Sequence, residues 1–300
     1  MKTLIVIAGP TASGKTAFSI ALAKALKTVI ISADSRQFYK EMSIGTAAPT
    51  PDELSQVKHY NVHNISIEDN YDVAEYEKNV LELLKTLFQK HDSVILTGGS
   101  GLFIDAVCNG IDEMPDITAE TREKVEKLYR EGGLRALQNA VQQLDPEYFS
   151  IVDQQNPRRL QRALEVCYQT GKTFTSYRQR QTKPRDFNII KFALLWDRET
   201  LKHRIDLRVD MMMEQGLLEE ARSLYPMRHL NALNTVGYKE LFAYFDGNCT
   251  LKEAIEQIKI HTHQYAKRQM TWLHKDDSYI WVKTDEMEKV LETLTSSLSV

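Results

Sequence analysis

Apolar positions fall into two kinds of pattern along the chain. Thr3 to Ala8, Thr28 to Ser32 and Ser93 to Thr97 are short, nearly unbroken apolar runs. Runs of that length without a polar alternate position predict strands buried on both faces of a parallel sheet. Between them, Lys15 to Leu26 (Phe18, Ile20, Leu22, Leu26) and Val73 to Lys90 (Val80, Leu83, Leu84, Leu87) carry apolar residues at helical spacing. Strand, helix, strand, helix, strand predicts an α/β fold with helices on both faces. From Pro115 to Arg185 the pattern is helical only. Thr118 to Glu131 is followed by Gly132-Gly133 and a helix through Leu144, and Asp145-Pro146 opens another turn. Asn156 as N-cap, Pro157 at the first helical position and Gly171 past the end bracket a further helix. An apolar β-rich run, Asn188 to Trp196, then returns the chain to the sheet. Helices over Glu199 to Gln215 and Thr250 to His274, a short strand Ser278 to Val282 and a last helix from Thr284 complete the pattern. The expected organisation is a catalytic core of residues 1–113 and 186–300, with a helical insertion over 114–185.

The loop after the first strand carries the clearest chemistry. Gly9, Pro10, Thr11, Ala12, Ser13, Gly14, Lys15 and Thr16 spell G-x-x-x-x-G-K-[ST] between a strand and a helix. Backbone N–H groups in such a loop converge on phosphate oxygens, Lys15 adds a full charge, and the Thr16 hydroxyl is placed to ligate Mg²⁺. The fold class expected is therefore a P-loop NTPase-like parallel sheet. An ATP-binding hydrolase would also place an acid at the end of an apolar strand to hold the metal. The third strand ends instead in Thr97-Gly98-Gly99, and the acid follows the second strand, as Asp34. Strand C-termini share one edge of an open α/β sheet, so Asp34 is expected in the same crevice as the loop. It would act there either on a substrate or as an orienting partner of the loop threonine.

Composition narrows the setting. The chain has 300 residues, 42% hydrophobic and 26% charged, and no stretch approaches the ~20 apolar residues of a membrane span. A cytoplasmic protein is expected, with no membrane partner and no dimerisation signal, hence a monomer. Cys108, Cys167 and Cys249 lie far apart and read as reduced, half-buried thiols. His261 and His263, two apart on a helix, face different ways and make a poor metal pair. The net charge of −3 argues against nucleic acid, but its distribution does not. Arg158, Arg159, Arg162, Lys172, Arg178, Arg180, Lys183, Arg185 and Lys191 crowd one segment against only Glu165 and Asp186. A second cluster comprises His261, His263, Lys267, Arg268, His274 and Lys275. Alone, such runs are as well explained by a solvated helix face.

Taken in order, these segments resemble the tRNA dimethylallyltransferases, also called tRNA isopentenyltransferases. The resemblance spans Gly-Pro-Thr-Ala-Ser-Gly-Lys-Thr at 9–16, Ser-Ala-Asp-Ser-Arg-Gln-Phe-Tyr at 32–39, Ile-Gly-Thr-Ala at 44–47 and Gly-Gly-Ser-Gly-Leu-Phe at 98–103. It continues through Asn-Pro-Arg-Arg-Leu-Gln-Arg-Ala-Leu-Glu-Val at 156–166, Arg-Val-Asp-Met-Met at 208–212, Val-Gly-Tyr-Lys-Glu at 236–240 and Tyr-Ala-Lys-Arg-Gln-Met-Thr-Trp at 265–272. It implies that dimethylallyl diphosphate replaces a nucleotide on the 9–16 loop, gripped by Lys15 and Mg²⁺, with Arg208 near the diphosphate. Asp34 would take a proton from the exocyclic amine of the adenine 3′ of the anticodon, flipped out of its stack. Ser35, Arg36, Gln37, Ser100 and Arg122 match positions that contact tRNA, as does the stretch Arg158, Arg159, Leu160, Gln161 and Arg162 of the insertion.

Chemistry agrees with that implication. An aromatic amine is a weak nucleophile, so a positioned carboxylate that accepts its proton helps. An allylic diphosphate ionises readily once its charge is neutralised. Departures from the family pattern are Ser100 and Phe103 for its Thr and Tyr, Ala48 in place of a Lys, and Tyr60-Asn61 in place of paired histidines. Three other readings remain: a small-molecule kinase using Asp34 to activate a hydroxyl, a prenyltransferase acting on free AMP, and an RNA-binding switch protein.

Overall fold

A computed structural model of the chain describes residues 2–69, 71–179 and 182–298. It divides into two compact units, one of Met1–Cys108 with Arg185–Val300 and one of Asn109–Pro184. The first begins with β1 (Thr3–Ala8), α1 (Lys15–Leu26), β2 (Ile30–Ser32), α2 (Pro51–Gln56), β3 (His59–Tyr60), α3 (Val73–Leu87), β4 (Ser93–Gly98) and α4 (Gly101–Asn109). The second unit holds α5 (Ala119–Leu144), α6 (Pro146–Ile151), α7 (Pro157–Thr170) and α8 (Phe174–Tyr177). The chain returns through β5 (Asn188–Leu194), α9 (Arg198–Glu214), α10 (Leu217–Leu224), α11 (Tyr238–Phe245), α12 (Leu251–Leu273), β6 (Tyr279–Val282) and α13 (Met287–Leu298).

Among the described residues six strands form one sheet in the order β3-β2-β4-β1-β5-β6, every pair parallel. Period-two alternation sorts β1 between two cores: Leu4, Val6 and Ala8 pack on one face, Ile5 and Ile7 on the other. That two-sided burial is why the strand sequences show no polar alternate. From β1 the chain runs to β2 on one side, while β5 lies on the other, so the sheet's switch point falls beside the carboxyl end of β1. In doubly wound sheets this is where ligands bind. The sheet therefore has the expected α/β architecture, although β2 is shorter than the apolar run that predicted it, because Thr28 and Val29 precede its ladder. Thr28 is buried by a hydrogen bond to the Ser93 carbonyl instead.

The helical unit has its own core, built from Val125, Leu137, Val141, Tyr148, Leu160, Leu164, Val166 and Phe174. Gly133, at φ 62° and ψ −161°, breaks α5 where the paired glycines predicted an interruption. Asn156 caps α7 through its side chain and Gly171 ends it in the left-handed conformation, as the punctuation predicted. Asp145 is 1% exposed and organises the unit's loops. Its carboxylate accepts the Tyr148 N–H at 3.0 Å, the Thr175 N–H at 2.7 Å and the Thr175 hydroxyl at 2.8 Å. No helix among the described residues is long and apolar enough to cross a membrane. Cys108 and Cys167 are fully buried rather than half-buried, and only Cys249 is intermediate; burial raises the Cys108 thiol to about 12.

Candidate active site

Three strand ends meet at the carboxyl edge of the sheet. β1 runs into the Gly9–Thr16 loop, β2 into Ala33-Asp34, and β4 into Gly99-Ser100. Backbone hydrogen bonds tie the last two together: the Ala33 N–H donates to the Thr97 carbonyl at 2.7 Å, and the Ser100 N–H to the Ala33 carbonyl at 3.3 Å.

The loop is shaped largely from outside. Gly14 caps α1 without a side chain, and the first N–H groups of a helix have no carbonyl one turn behind them. Arg204 of α9 donates through Nε to the Ala12 carbonyl at 2.8 Å, and the Trp196 indole donates to the Ser13 carbonyl at 2.9 Å. The Arg204 guanidinium in turn stacks on the Trp196 ring at 4.3 Å. No peptide bond among the described residues is cis, so holding the Ser13 carbonyl against Trp196 turns the Gly14 N–H of the same peptide the opposite way. Arg208, one helical turn beyond Arg204, donates to the Thr11 hydroxyl at 3.3 Å. Gln269 of α12 accepts the Thr11 N–H at 2.9 Å.

Charge is concentrated at this edge. The Lys15 ammonium donates to the Pro10 carbonyl at 2.7 Å. Burial, reinforced by the neighbouring Arg208 guanidinium, lowers Lys15 to about 7, with Asp34 pulling the other way. The Asp34 carboxylate accepts the Arg36 N–H at 2.9 Å. Burial nevertheless raises its pKa, against the pull of that amide and of Lys15. Asp34 and Lys15 thus feel each other directly, as the shared-edge argument predicted. Tyr265 joins them: its phenol is raised to about 12 by burial and by the Asp34 charge, and it shares a hydrogen bond with Ser100.

Thr16 stands half-buried in the first turn of α1. Its hydroxyl is a hard oxygen donor of the kind Mg²⁺ takes, an ion that completes its shell with phosphate oxygens and water. Among the described residues there is no group of three or more His, Cys, Asp or Glu able to hold a metal. An ion here would depend on a substrate's oxygens for most of its coordination.

The second-strand segment is braced rather than loose. The Ser35 N–H donates to the Ser100 hydroxyl at 2.9 Å. Gln37 uses both ends of its amide, accepting from the Ser32 hydroxyl at 3.1 Å and donating to the carbonyls of Thr46 (3.3 Å) and Ala47 (3.1 Å). The loop it holds is fixed from beyond by Glu220, whose carboxylate accepts the N–H groups of Ser43, Ile44 and Gly45 at 2.8–3.0 Å and the Tyr238 hydroxyl at 2.6 Å. Phe103, which lacks the family's hydroxyl, packs on Tyr76 (4.8 Å) and Phe38 (5.8 Å), a setting that needs none.

In the helical unit, Arg122, Arg158 and Arg159 are exposed, and Gln161 and Arg162 are partly exposed. Leu160 departs from expectation: it is fully buried in the unit's core, so it supports α7 and cannot reach a ligand. Two cations of the basic run also leave it. Arg185 is sunk against Glu77 at 2.6 Å and Lys191 against Asp276 at 2.8 Å, both in the sheet unit. Arg180 lies outside the described residues. In the second cluster, His261 meets Glu240 at 2.6 Å and His263 lies 2.9 Å from Asp206.

Comparison with known proteins decides the family. The IPP transferase family model matches residues 37–276. The tRNA dimethylallyltransferase 1 of Phocaeicola vulgatus is 51% identical over 98% of this chain and 98% of its own length. The chain belongs to the IPP transferase family. Within it, the tRNA dimethylallyltransferase of Christiangramia forsetii is 49% identical, with 95% of each chain covered. The solved tRNA isopentenylpyrophosphate transferase of Bacillus halodurans is 31% identical, with a TM-score of 0.74 over 100% of this chain and 97% of that one. A eukaryotic dimethylallyltransferase whose crystallographic snapshots capture it acting on tRNA is 25% identical, with a TM-score of 0.76 over 95% of this chain and 74% of that one. Against this IPP transferase background, residues with no role assigned from sequence stand out around the loop: Trp196, Arg204, Tyr265, Gln269 and, behind Gln37, Glu220. Tyr265 and Gln269 stand in the 265–272 motif, which gave them no role by itself; Arg204 is one turn from Arg208, and Trp196 and Glu220 carried no signal in the sequence.

Proposed function

We propose that the chain transfers a dimethylallyl group from dimethylallyl diphosphate to the N6 amine of the adenine 3′-adjacent to the anticodon of a tRNA, releasing diphosphate. One observation carries this reading. The Asp34 carboxylate, which follows β2 at the sheet edge, lies close enough to the Lys15 ammonium for each to shift the other's titration. That pairs a proton acceptor for the incoming nucleophile with a cation for the departing oxygen.

The Gly9–Thr16 loop and Arg208 hold the diphosphate, whose charge the loop amides and Lys15 neutralise. Mg²⁺, held by Thr16, would supply further neutralisation of the leaving group. The amine nitrogen bonds to the allylic carbon as the carbon–oxygen bond to diphosphate breaks, and the amine's proton passes to Asp34. Ser35, Arg36, Gln37 and Ser100 border that acceptor position. Arg122, Arg158, Arg159, Gln161 and Arg162 offer the exposed cations and amide that a phosphate backbone requires, while Leu160 holds their helix. This reading is of a cytoplasmic enzyme, which a tRNA acceptor supports, and of a monomer, since every group invoked lies on one chain.

Incubating the purified protein with tRNA and radiolabelled dimethylallyl diphosphate, then analysing anticodon-loop nucleosides by mass spectrometry, tests this. A dimethylallyl adduct on the adenine beside the anticodon is expected. Phosphate transfer from ATP to a metabolite, or prenylation of AMP in preference to tRNA, would refute it.

A further inference from the structure

We propose that Gln269 is a positioning residue for diphosphate binding: it ties the Gly9–Thr16 loop to the Gly99–Gly101 loop and fixes the phosphate cradle in shape. The proposal rests on the reading of that cradle as the diphosphate site. Gln269 is 7% exposed, which is rare for this residue type unless both amide ends are satisfied. Both are: Oε1 accepts the Thr11 N–H at 2.9 Å and Nε2 donates to the Gly99 carbonyl at 2.8 Å. One partner is an N–H and the other a carbonyl, so only a side chain with one acceptor end and one donor end fits between them. A carboxylate would face the Gly99 carbonyl with no proton to give, and an apolar side chain would strand both backbone groups.

The neighbouring sequence is fitted to this clasp. A Cβ at Gly99 would stand 2.2 Å from the Gln269 Nε2, and one at Gly101 2.2 Å from the Trp272 ring. Tyr265, Gln269 and Trp272 occupy one face of α12 and meet three successive residues: Ser100 by hydrogen bond, Gly99 by hydrogen bond, and Gly101 by ring contact. Trp272 also donates to Asp105 at 3.0 Å. The glycines around Ser100 and the α12 motif are thus two halves of one contact, and Gln269 is the member that crosses to the diphosphate loop. Thr11 is then gripped twice, its N–H by Gln269 and its hydroxyl by Arg208. The Thr11 N–H is committed to the protein and the Ser13 N–H to the Pro10 carbonyl at 3.3 Å, and the remaining loop amides, that of Gly14 among them, serve the phosphates.

Calorimetric titration with inorganic diphosphate, and separately with an anticodon stem-loop RNA, tests the assignment on the full chain. Gln269→Met keeps volume and removes both bonds; it should weaken diphosphate binding on the order of tenfold and raise the KM for dimethylallyl diphosphate, with stem-loop affinity and kcat nearly unchanged. Gly99→Ala should weaken diphosphate binding as well. The double variant Gly99→Ala/Gln269→Ala should lose less than the two single changes together, because removing the amide removes the clash. Native diphosphate affinity in Gln269→Met would overturn the proposal. So would strictly additive losses, or parallel losses of diphosphate and RNA affinity that track the melting temperature. Failure of the native protein to bind diphosphate would overturn the functional reading itself, and this proposal with it.

Discussion

Lys15 and Asp34 each sit where burial opposes their charged form, and each partly restores the other's. The consequence for Lys15 is a proton that travels with the ligand. With a pKa of about 7, the amine is roughly nine-tenths neutral at pH 8, and a bound diphosphate favours its ammonium form. Diphosphate binding at pH 8 should therefore take up nearly one proton, read from calorimetry in two buffers of different ionisation enthalpy. Lys15→Met should lose that uptake along with affinity. Native binding without Lys15-dependent uptake would contradict it. For Asp34 the sign runs the other way. A base must be ionised, its pKa lies above the ordinary 3.8, and turnover should fall as pH drops through that raised value. Asp34→Asn should cut the single-turnover rate by roughly 10²- to 10⁴-fold while diphosphate still binds; a variant with native rate would remove the base role. Both residues were legible in the sequence because each belongs to a contiguous motif beside a strand end. Gln269 and Trp196 were not, because they reach the loop through tertiary structure, 258 positions from Thr11 and 183 from Ser13.

Among the helices, the long periodic ones were readable and most short ones were not, whereas the short strands β2 and β6 were read from their apolar runs. The strands β1, β4 and β5 and the helices α1, α3, α5, α7, α9 and α12 follow from apolar runs, helical spacing and caps. α2, α8, α10 and α11 are no longer than eight residues, too short to set a period, and their form depends on packing. Asp145 was read from sequence as part of a turn, yet it does more. By accepting three hydrogen bonds it joins the starts of α6 and α8. Asp145→Ala would leave the Tyr148 and Thr175 N–H groups without their acceptor in a buried place, at a cost of roughly 2–4 kcal/mol. Asp145→Asn, which keeps an acceptor, should cost less. Urea denaturation of the full chain measures both. Equal stability of Asp145→Ala and native protein would refute this account of the loops.

Over the whole molecule, the net charge of −3 hides a division of labour among cations that sequence position alone could not show. Arg158 and Arg159 stand exposed on α7, whereas Arg185 and Lys191, from the same basic run, are 9% and 10% exposed and paired with carboxylates. Composition counts them alike; burial separates them into cations able to meet phosphates and cations that hold the sheet unit. Arg185 donates to Glu77 and also to the carbonyls of Ala106 and Val107 at the end of α4. On the proposed function, replacing Arg158 and Arg159 by Ala should weaken tRNA binding and flatten its dependence on log[salt] by about 0.7–0.9 per arginine that meets a phosphate. Arg185→Ala should leave that slope intact and lower the melting temperature instead, since it removes the buried hydrogen bonds to Glu77 and to the Ala106 and Val107 carbonyls. Asp34→Asn should change neither. Filter binding across a salt series, run beside thermal melts of the same proteins, separates the three behaviours. A native slope in the Arg158→Ala/Arg159→Ala protein would remove those two arginines from RNA binding, because no other property of their exposed side chains links them to the polyanion.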